Sequence, residues 1–470
     1  MAFIENRKPL RMKLILIKEM KMRKHISKIL FVLTCFCFKL SAGINITEIS
    51  VTEGEIKLQE RHKLLIKNKD PDEVKLVKYQ YQQGEENRIV LLNGLEFNFL
   101  TKKMKQKNGR TRIKAISNNG DKFSLTYRNS GLLGHVSLNG IDYDIEMSRV
   151  TGFSFLVKNN LTPPNLREDT LEPTGENNIK IGDEYCNIPF SNTSGESSTQ
   201  IYCDEPWPPI GGGYTGPYIA KVLIVFTNDA QQHYSNSDQI MQGHADFAIS
   251  QLNEYLEDSL ADSHLKVELA GIYKWSYDEN YLDYEECEDI WYPVYTTTTA
   301  LLPKTKNNFM IAAERDRVNA DIVVTITRPV PNEPNAGIAY LNPNASNAFA
   351  VVTTSYITSW GVFAHEIGHI LGMRHDVDTD PGVFPYDYAH GFFDTSINKR
   401  TIMSYDCDND PNTELCVREF KFSNPNVNFE GTNVQTGSDY AVGDCYWWGP
   451  CKANNAKVVE VRARAVSLFR

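Results

Sequence analysis

The sequence predicts an α/β domain in its C-terminal half, preceded by a β-rich N-terminal region, and three observations carry that prediction. Before residue 158, runs such as Phe123-Ser124-Leu125-Thr126-Tyr127 alternate with the period-two pattern of a half-buried strand. After residue 217, short apolar runs suited to buried strands alternate with apolar positions at helical spacing. Between them, residues 159–217 turn to Pro, Gly, Ser, Thr and Asn, with Pro208-Pro209 and Gly211-Gly212-Gly213. That is the composition of an exposed connector, where proteases cut.

At the N-terminus, Lys21, Arg23, Lys24 and Lys28 precede an apolar run from Ile29 to Phe38, followed by Ser41, Ala42 and Gly43. This order is that of a secretory signal peptide over residues 1–43, cut after Ala42 or Gly43. The stretch before Met20 is long for such a leader, so translation starting at Met20 or Met22 fits better. The apolar run is too short to anchor the chain in a bilayer, and no other stretch is long enough. The processed protein is therefore expected to be secreted and without a stable membrane anchor; a monomer is expected as well.

Residues 44–158 form the β-rich region, with a hairpin from His135 to Met147 turning on Asn139-Gly140. Asn93-Gly94 and Asn119-Gly120 repeat that punctuation. In residues 218–470 the strand candidates are Val222–Phe226, Leu265–Leu269, Ile322–Ile326, Gly337–Leu341 and Phe349–Val352. The helix candidates are Met241 to Leu256, Phe309 to Val318 and Trp360 to Leu371, giving one mainly parallel sheet.

The 470 residues are 41% hydrophobic and 23% charged, ordinary for a folded chain long enough for two domains. A net charge of −10 disfavours nucleic acid as a partner, because phosphate contacts need clustered Lys and Arg. Removal of the leader takes Cys35 and Cys37 and leaves Cys186, Cys203, Cys287, Cys407, Cys416, Cys445 and Cys451. Export favours disulfides among them, and the odd count leaves one over.

The chemistry lies in Ala364-His365-Glu366-Ile367-Gly368-His369-Ile370-Leu371-Gly372-Met373-Arg374-His375-Asp376, which fits H-E-x-x-H-x-x-G-x-x-H. His365 and His369, four apart on a helix, leave the same face and can share one zinc ion. Gly372 lets the chain leave the helix through a left-handed turn, returning His375 as a third ligand. Three protein ligands leave a fourth position for water, the mark of a catalytic site. Glu366, next to the first ligand, is the candidate general base. These residues prescribe one zinc ion and say nothing of calcium.

Arg400-Thr401-Ile402-Met403-Ser404-Tyr405 resembles the Met-turn of metzincins, in which Met403 would pack beneath the histidines without binding metal. Tyr405 is either a half-buried structural residue or a phenol that steadies the oxyanion. From about Lys221 onward the chain resembles a reprolysin-like metzincin of the bacterial peptidyl-Asp metalloendopeptidase type. Supporting segments are Ala320-Asp321-Ile322-Val323-Val324, Gly337-Ile338-Ala339-Tyr340, Phe422-Ser423-Asn424-Pro425 and Asn454-Asn455-Ala456.

The resemblance implies a five-stranded, mainly parallel twisted sheet with helices and a zinc cleft, preceded by a β-rich pro-domain. It implies protein or peptide substrates, paired to an edge strand formed by Gly337, Ile338, Ala339 and Tyr340. It also implies cleavage before acidic residues, with the complementary charge on Arg418 or Lys421 unless both are surface residues. Processing between Cys186 and Cys203 would leave Cys186 as a pro-segment thiol able to hold the enzyme latent; a Cys186–Cys203 disulfide is the alternative. A gluzincin-type peptidase would share His365, Glu366 and His369 but take a downstream Glu as third ligand, which His375 makes unnecessary. An exported binding module on an inactive protease scaffold is the reading from a different class, and the intact Glu366 counts against it.

Overall fold

The computed structural model describes residues 42–48, 74–83, 86–107, 110–128, 131–147 and 153–158, four short strands between 170 and 203, and residues 216–470 except 280–282, 288–289, 295–297, 329–334, 406, 408–415 and 446–448. The chain divides into two compact units, one built on the strands up to Lys158 and the other mainly on the chain from Asn159 onward. The signal-peptide reading lies outside the described residues except for Ala42 and Gly43, which begin the first strand. Among the described residues no helix is long and apolar enough to cross a membrane.

The N-terminal unit is a closed barrel of nine strands. These are β1 (Ala42–Glu48), β2 (Val74–Gln83), β3 (Glu86–Val90), β4 (Glu96–Lys107), β5 (Arg110–Ser117), β6 (Lys122–Arg128), β7 (Gly131–Leu138), β8 (Ile141–Met147) and β9 (Phe153–Lys158). The pairs β1–β2, β2–β9 and β3–β4 through β7–β8 are antiparallel, while β1 meets β3 in parallel, Ile46 opposite Ile89. Alternate side chains such as Ile44, Ile46, Ile89, Phe99, Phe123, Leu125, Val136 and Ile145 share one buried core, as the period of two requires. Asn139 and Gly140 both take positive φ, 54° and 76°, the type I′ geometry that joins β7 to β8.

Four short strands precede the second sheet: β10 (Thr170–Leu171), β11 (Asn178–Ile181), β12 (Glu184–Asn187) and β13 (Tyr202–Cys203). These strands lie within the stretch that composition reads as connector, and their pairing supplies backbone partners that composition does not reveal. Beyond them come β14 (Tyr218–Phe226), β15 (Leu265–Lys274), a hairpin of β16 (Asp283–Cys287) and β17 (Ile290–Val294), then β18 (Ile322–Thr327), β19 (Gly337–Tyr340) and β20 (Phe349–Thr353). The main sheet runs β10-β19-β20-β18-β14-β15. It has six strands where five were expected, because Thr170–Leu171 adds to the outer edge of β19. The strands β20, β18, β14 and β15 are parallel, and β19 is antiparallel to β20.

Among the described residues six helices accompany the sheet: α1 (Asn228–His233), α2 (Asp238–Asp258), α3 (Thr298–Lys306), α4 (Phe309–Arg317), α5 (Val362–Leu371) and α6 (Asn455–Val466). Both sheet faces are apolar because helices cover both. Val222, Ile224, Phe226 and Val324 pack with α2, α5 and α6, while Leu223, Val225 and Val323 pack with α3 and α4. Helix α3 went unanticipated, and Pro303 within it is a helix-breaking signal by sequence alone. Helix α5 begins at Val362 and not at Trp360. Trp360 and Gly361 have φ of 56° and 69°, a left-handed turn that cannot continue a helix.

Candidate metal centre

Helix α5 lies against β19 and β20 and is buried at every residue. Its exit is Gly372 at φ 98°, where the Gly372 N–H reaches His369 O at 2.8 Å and Met373 N–H reaches Gly368 O at 2.9 Å. These bonds satisfy the last helical carbonyls and turn the chain so that His375 comes back over the helix.

The three histidines meet at one point. Their Nε2 atoms are 3.0 Å (His365–His369), 3.0 Å (His369–His375) and 3.2 Å (His365–His375) apart. All three rings are buried. His365 Nδ1 donates to Ile402 O at 2.9 Å and His369 Nδ1 to Met373 O at 2.8 Å. With each Nδ1 committed to a carbonyl, the Nε2 lone pair of both rings is left for a ligand. A tetrahedral zinc with Zn–N of about 2.0–2.1 Å sets its nitrogens about 3.4 Å apart, close to the spacing seen. The donor set therefore fits zinc, and no other cluster of three His, Cys, Asp or Glu groups with that spacing occurs among the described residues.

Glu366, fully buried, follows the first histidine on α5 and faces β19, where it crowds Gly337. Met403 is fully buried under the helix. Its Sδ would lie 2.6 Å from a Cβ at Gly368, so the helix approaches the turn only because position 368 has no side chain. The Tyr405 ring stacks on His375 with centroids 4.1 Å apart.

Asp376, next to the third histidine, joins the two halves of the site. Its Oδ2 accepts from Tyr405 N at 2.8 Å and Ser404 Oγ at 3.2 Å, which fixes the turn carrying Met403 and Tyr405. His390 lies buried behind His375 and donates Nδ1–H to the His375 carbonyl at 2.9 Å; burial lowers its pKa. Sequence reasoning assigned no role to either residue. The position of Asp376 immediately after the motif was the available signal; His390 offered none.

Of the two candidate cations, Arg418 is buried and donates to Trp360 O at 3.0 Å and to Ser404 O at 3.4 Å, beside the Met403 turn. Arg400 also reaches Ser404 O, at 3.1 Å. Lys421 points elsewhere, to Glu419 Oε2 at 3.1 Å and Asn428 O at 3.0 Å. The backbone of Cys186 in β12 lies opposite Cys203 in β13. Cys407 is disulfide-bonded to Cys416, and Cys451 is also disulfide-bonded.

A buried helix with two histidines one turn apart, a third returned by a glycine turn and a methionine turn beneath is the arrangement of a metzincin-like metal centre. Residues 217–415 match metallo-peptidase family M12 (Reprolysin_5). The chain is 32% identical over 229 residues to a peptidyl-Asp metalloendopeptidase of Stenotrophomonas maltophilia (strain K279a), covering 47% of this chain and 49% of the relative. It is 30% identical over 226 residues to the peptidyl-Asp metalloendopeptidase of Xanthomonas campestris pv. campestris, covering 47% and 48%. The match thus spans about half the length of these curated relatives. A solved metalloproteinase-II from Bacteroides fragilis aligns with a TM-score of 0.36 and 12% identity, over 63% of this chain and 83% of that one.

Proposed function

We propose that the protein is a secreted, zinc-dependent endopeptidase that hydrolyses internal peptide bonds of proteins, acts as a monomer and is made as a latent proenzyme. The convergence of the three Nε2 atoms within 3.2 Å of one another, with Glu366 beside them, carries this reading. Zinc held by His365, His369 and His375 would supply Lewis-acid polarisation of the scissile carbonyl and acidify a water. Glu366 takes the proton of the attacking water and passes it to the leaving amine. The Tyr405 phenol, held by its stack on His375, donates toward the oxyanion. Strand β19 presents its outer backbone edge to an extended substrate.

Cleavage before acidic residues is supported by the relatives' names and by Arg418, whose guanidinium is held beside the Met403 turn. Lys421 is a poorer source of that charge, because Glu419 already neutralises it.

Latency is supported by β10. Thr170 and Leu171 pair in parallel with Ala339 and Tyr340, on the edge of β19 a substrate needs. Strand pairing uses the same N–H and C=O groups either way, so the connector and a substrate compete. Cleavage of the connector would free the edge. The register of Cys186 opposite Cys203 supports a disulfide over a zinc-blocking thiol.

The test is a digest of a defined protein mixture by the matured protein, with new termini read by mass spectrometry. Cuts that disappear with a chelator and with Glu366→Ala are expected, enriched before Asp and Glu. A matured, zinc-loaded protein that cuts nothing would leave the scaffold as a binding module.

A further inference from the structure

The Glu366 side chain is enclosed by β19 as well as by its own helix. A Cβ at Gly337 would lie 2.5 Å from Glu366 Oε1, 2.8 Å from Cδ and 2.9 Å from Cγ. Non-bonded heavy atoms settle at about 3.5–4.0 Å, so no side chain fits at position 337 while the carboxylate stays where it is. The backbone does not itself demand glycine there: Gly337 is absent from the positive-φ positions and lies in a regular strand opposite Val352. Space for Glu366 is the reason for the residue.

Neither element can retreat to make room. Strand β19 is hydrogen-bonded to β20 through Gly337, Ile338 and Ala339. Helix α5 is pinned on its far side, where Gly368 packs on Met403. What can move is the end of the Glu366 side chain, by rotation about its own bonds. A methyl group at position 337 would therefore be accommodated at low cost in stability and at high cost in the placement of the carboxylate.

We propose that Gly337 is a positioning residue for the general base: its missing side chain sets where the Glu366 carboxylate stands relative to the three histidines. The inference rests on the endopeptidase reading, in which Glu366 moves the proton. It ties two functions of one strand together, since the segment that pairs with the substrate backbone also sets the reach of the base.

The test compares Gly337→Ala with Gly271→Ala, a strand glycine whose nearest obstacle is Val318 Cγ1 at 3.9 Å. Measured quantities are kcat, KM, the pH profile of kcat/KM, zinc content and Tm, in the wild type and in the Glu366→Ala background. Gly337→Ala is expected to lower kcat by about 100-fold, the effect of displacing a catalytic group by about 1 Å, and to move the acid limb of the pH profile. KM, zinc content and Tm should stay near wild type, and Gly271→Ala should behave as wild type throughout. In the Glu366→Ala background the substitution at 337 should change residual activity less than about twofold, because it acts through the removed carboxylate. Wild-type kcat in Gly337→Ala, or an equal loss in both backgrounds, overturns the proposal. Should Gly337→Ala lower Tm, recovery of Tm on adding Glu366→Ala upholds the contact and no recovery overturns it. An inactive wild type carrying zinc defeats the endopeptidase reading itself, whereas an active wild type matched by Gly337→Ala defeats only this inference.

Discussion

Glu279 and Glu366 are both buried in the C-terminal unit, 6% and 0% exposed, and their surroundings differ. Glu279 accepts from the Thr227 hydroxyl and from Arg328 N–H at 3.1 Å, joining the ends of β14 and β18. Burial pushes its pKa up to about 7 against the opposing pull of Thr227, Thr327 and Arg328. Its hydrogen bonds close on local backbone and hydroxyls. Around Glu366 the neighbouring imidazoles spend one nitrogen on a carbonyl and aim the other at a shared point. Burial of a charge marks neither site as functional; convergence of lone pairs on a point between side chains does.

That contrast can be broken most directly by exchanging the two carboxylates for neutral groups. Glu366→Ala is expected to reduce cleavage by about 10²–10⁴-fold, the usual worth of a general base, with zinc content unchanged. Glu279→Gln should leave kcat near wild type; equal losses in a peptide-cleavage assay would erase the distinction.

A second expectation concerns stability and pH. The folded-state pKa of Glu279 is raised from 4.5 to about 7, so between those values the folded protein binds more proton than the unfolded chain. Its contribution is fully present below about pH 4.5 and is lost as pH rises through 7, about 3 kcal/mol in all. Denaturant titrations from pH 4.5 to 8 should show this slope in the wild type and a flatter one in Glu279→Gln. Parallel slopes would contradict the assignment.

Asp376→Ala should cost about 1–3 kcal/mol, because Tyr405 N–H and Ser404 Oγ lose a buried acceptor. Zinc affinity should weaken by about 10–100-fold, as for other groups that orient ligands. Competition with a chelator would measure it, and unchanged affinity would remove Asp376 from the site. The smallest effect is on specificity. Arg418→Ala should cut the preference for acidic over neutral residues after the cleaved bond by about tenfold, or about 1.4 kcal/mol, while Lys421→Ala changes it less than about twofold. Terminal mapping of both variants would show whether the roles are reversed.

The parts legible in the sequence are those written in local spacing. The four-residue separation of His365 and His369, the glycine at 372 and the alternation in β14 and β18 are decided within a turn or two of chain. Features that depend on distant partners were not legible. Thr170–Leu171 becomes a strand only because β19 has an open edge far along the chain. Trp360 looked helical by its apolar neighbours, but the left-handed turn at Trp360-Gly361 aims its carbonyl at Arg418. Arg418 and Lys421 differ by three positions and were equivalent by composition; Glu419, between them in sequence, separates them by taking Lys421. The joining role of Asp376 required knowing that the Met403 turn lies beside it, nearly thirty residues on.

The central claim is that His365, His369 and His375 hold one zinc ion required for peptide cleavage. Zinc content and cleavage rate measured together, on the matured wild type and on His375→Ala, test it most directly. The account predicts one zinc per chain in the active wild type, and joint loss of zinc and cleavage in the variant. Cleavage that persists in His375→Ala, or in wild type stripped of zinc, would contradict it.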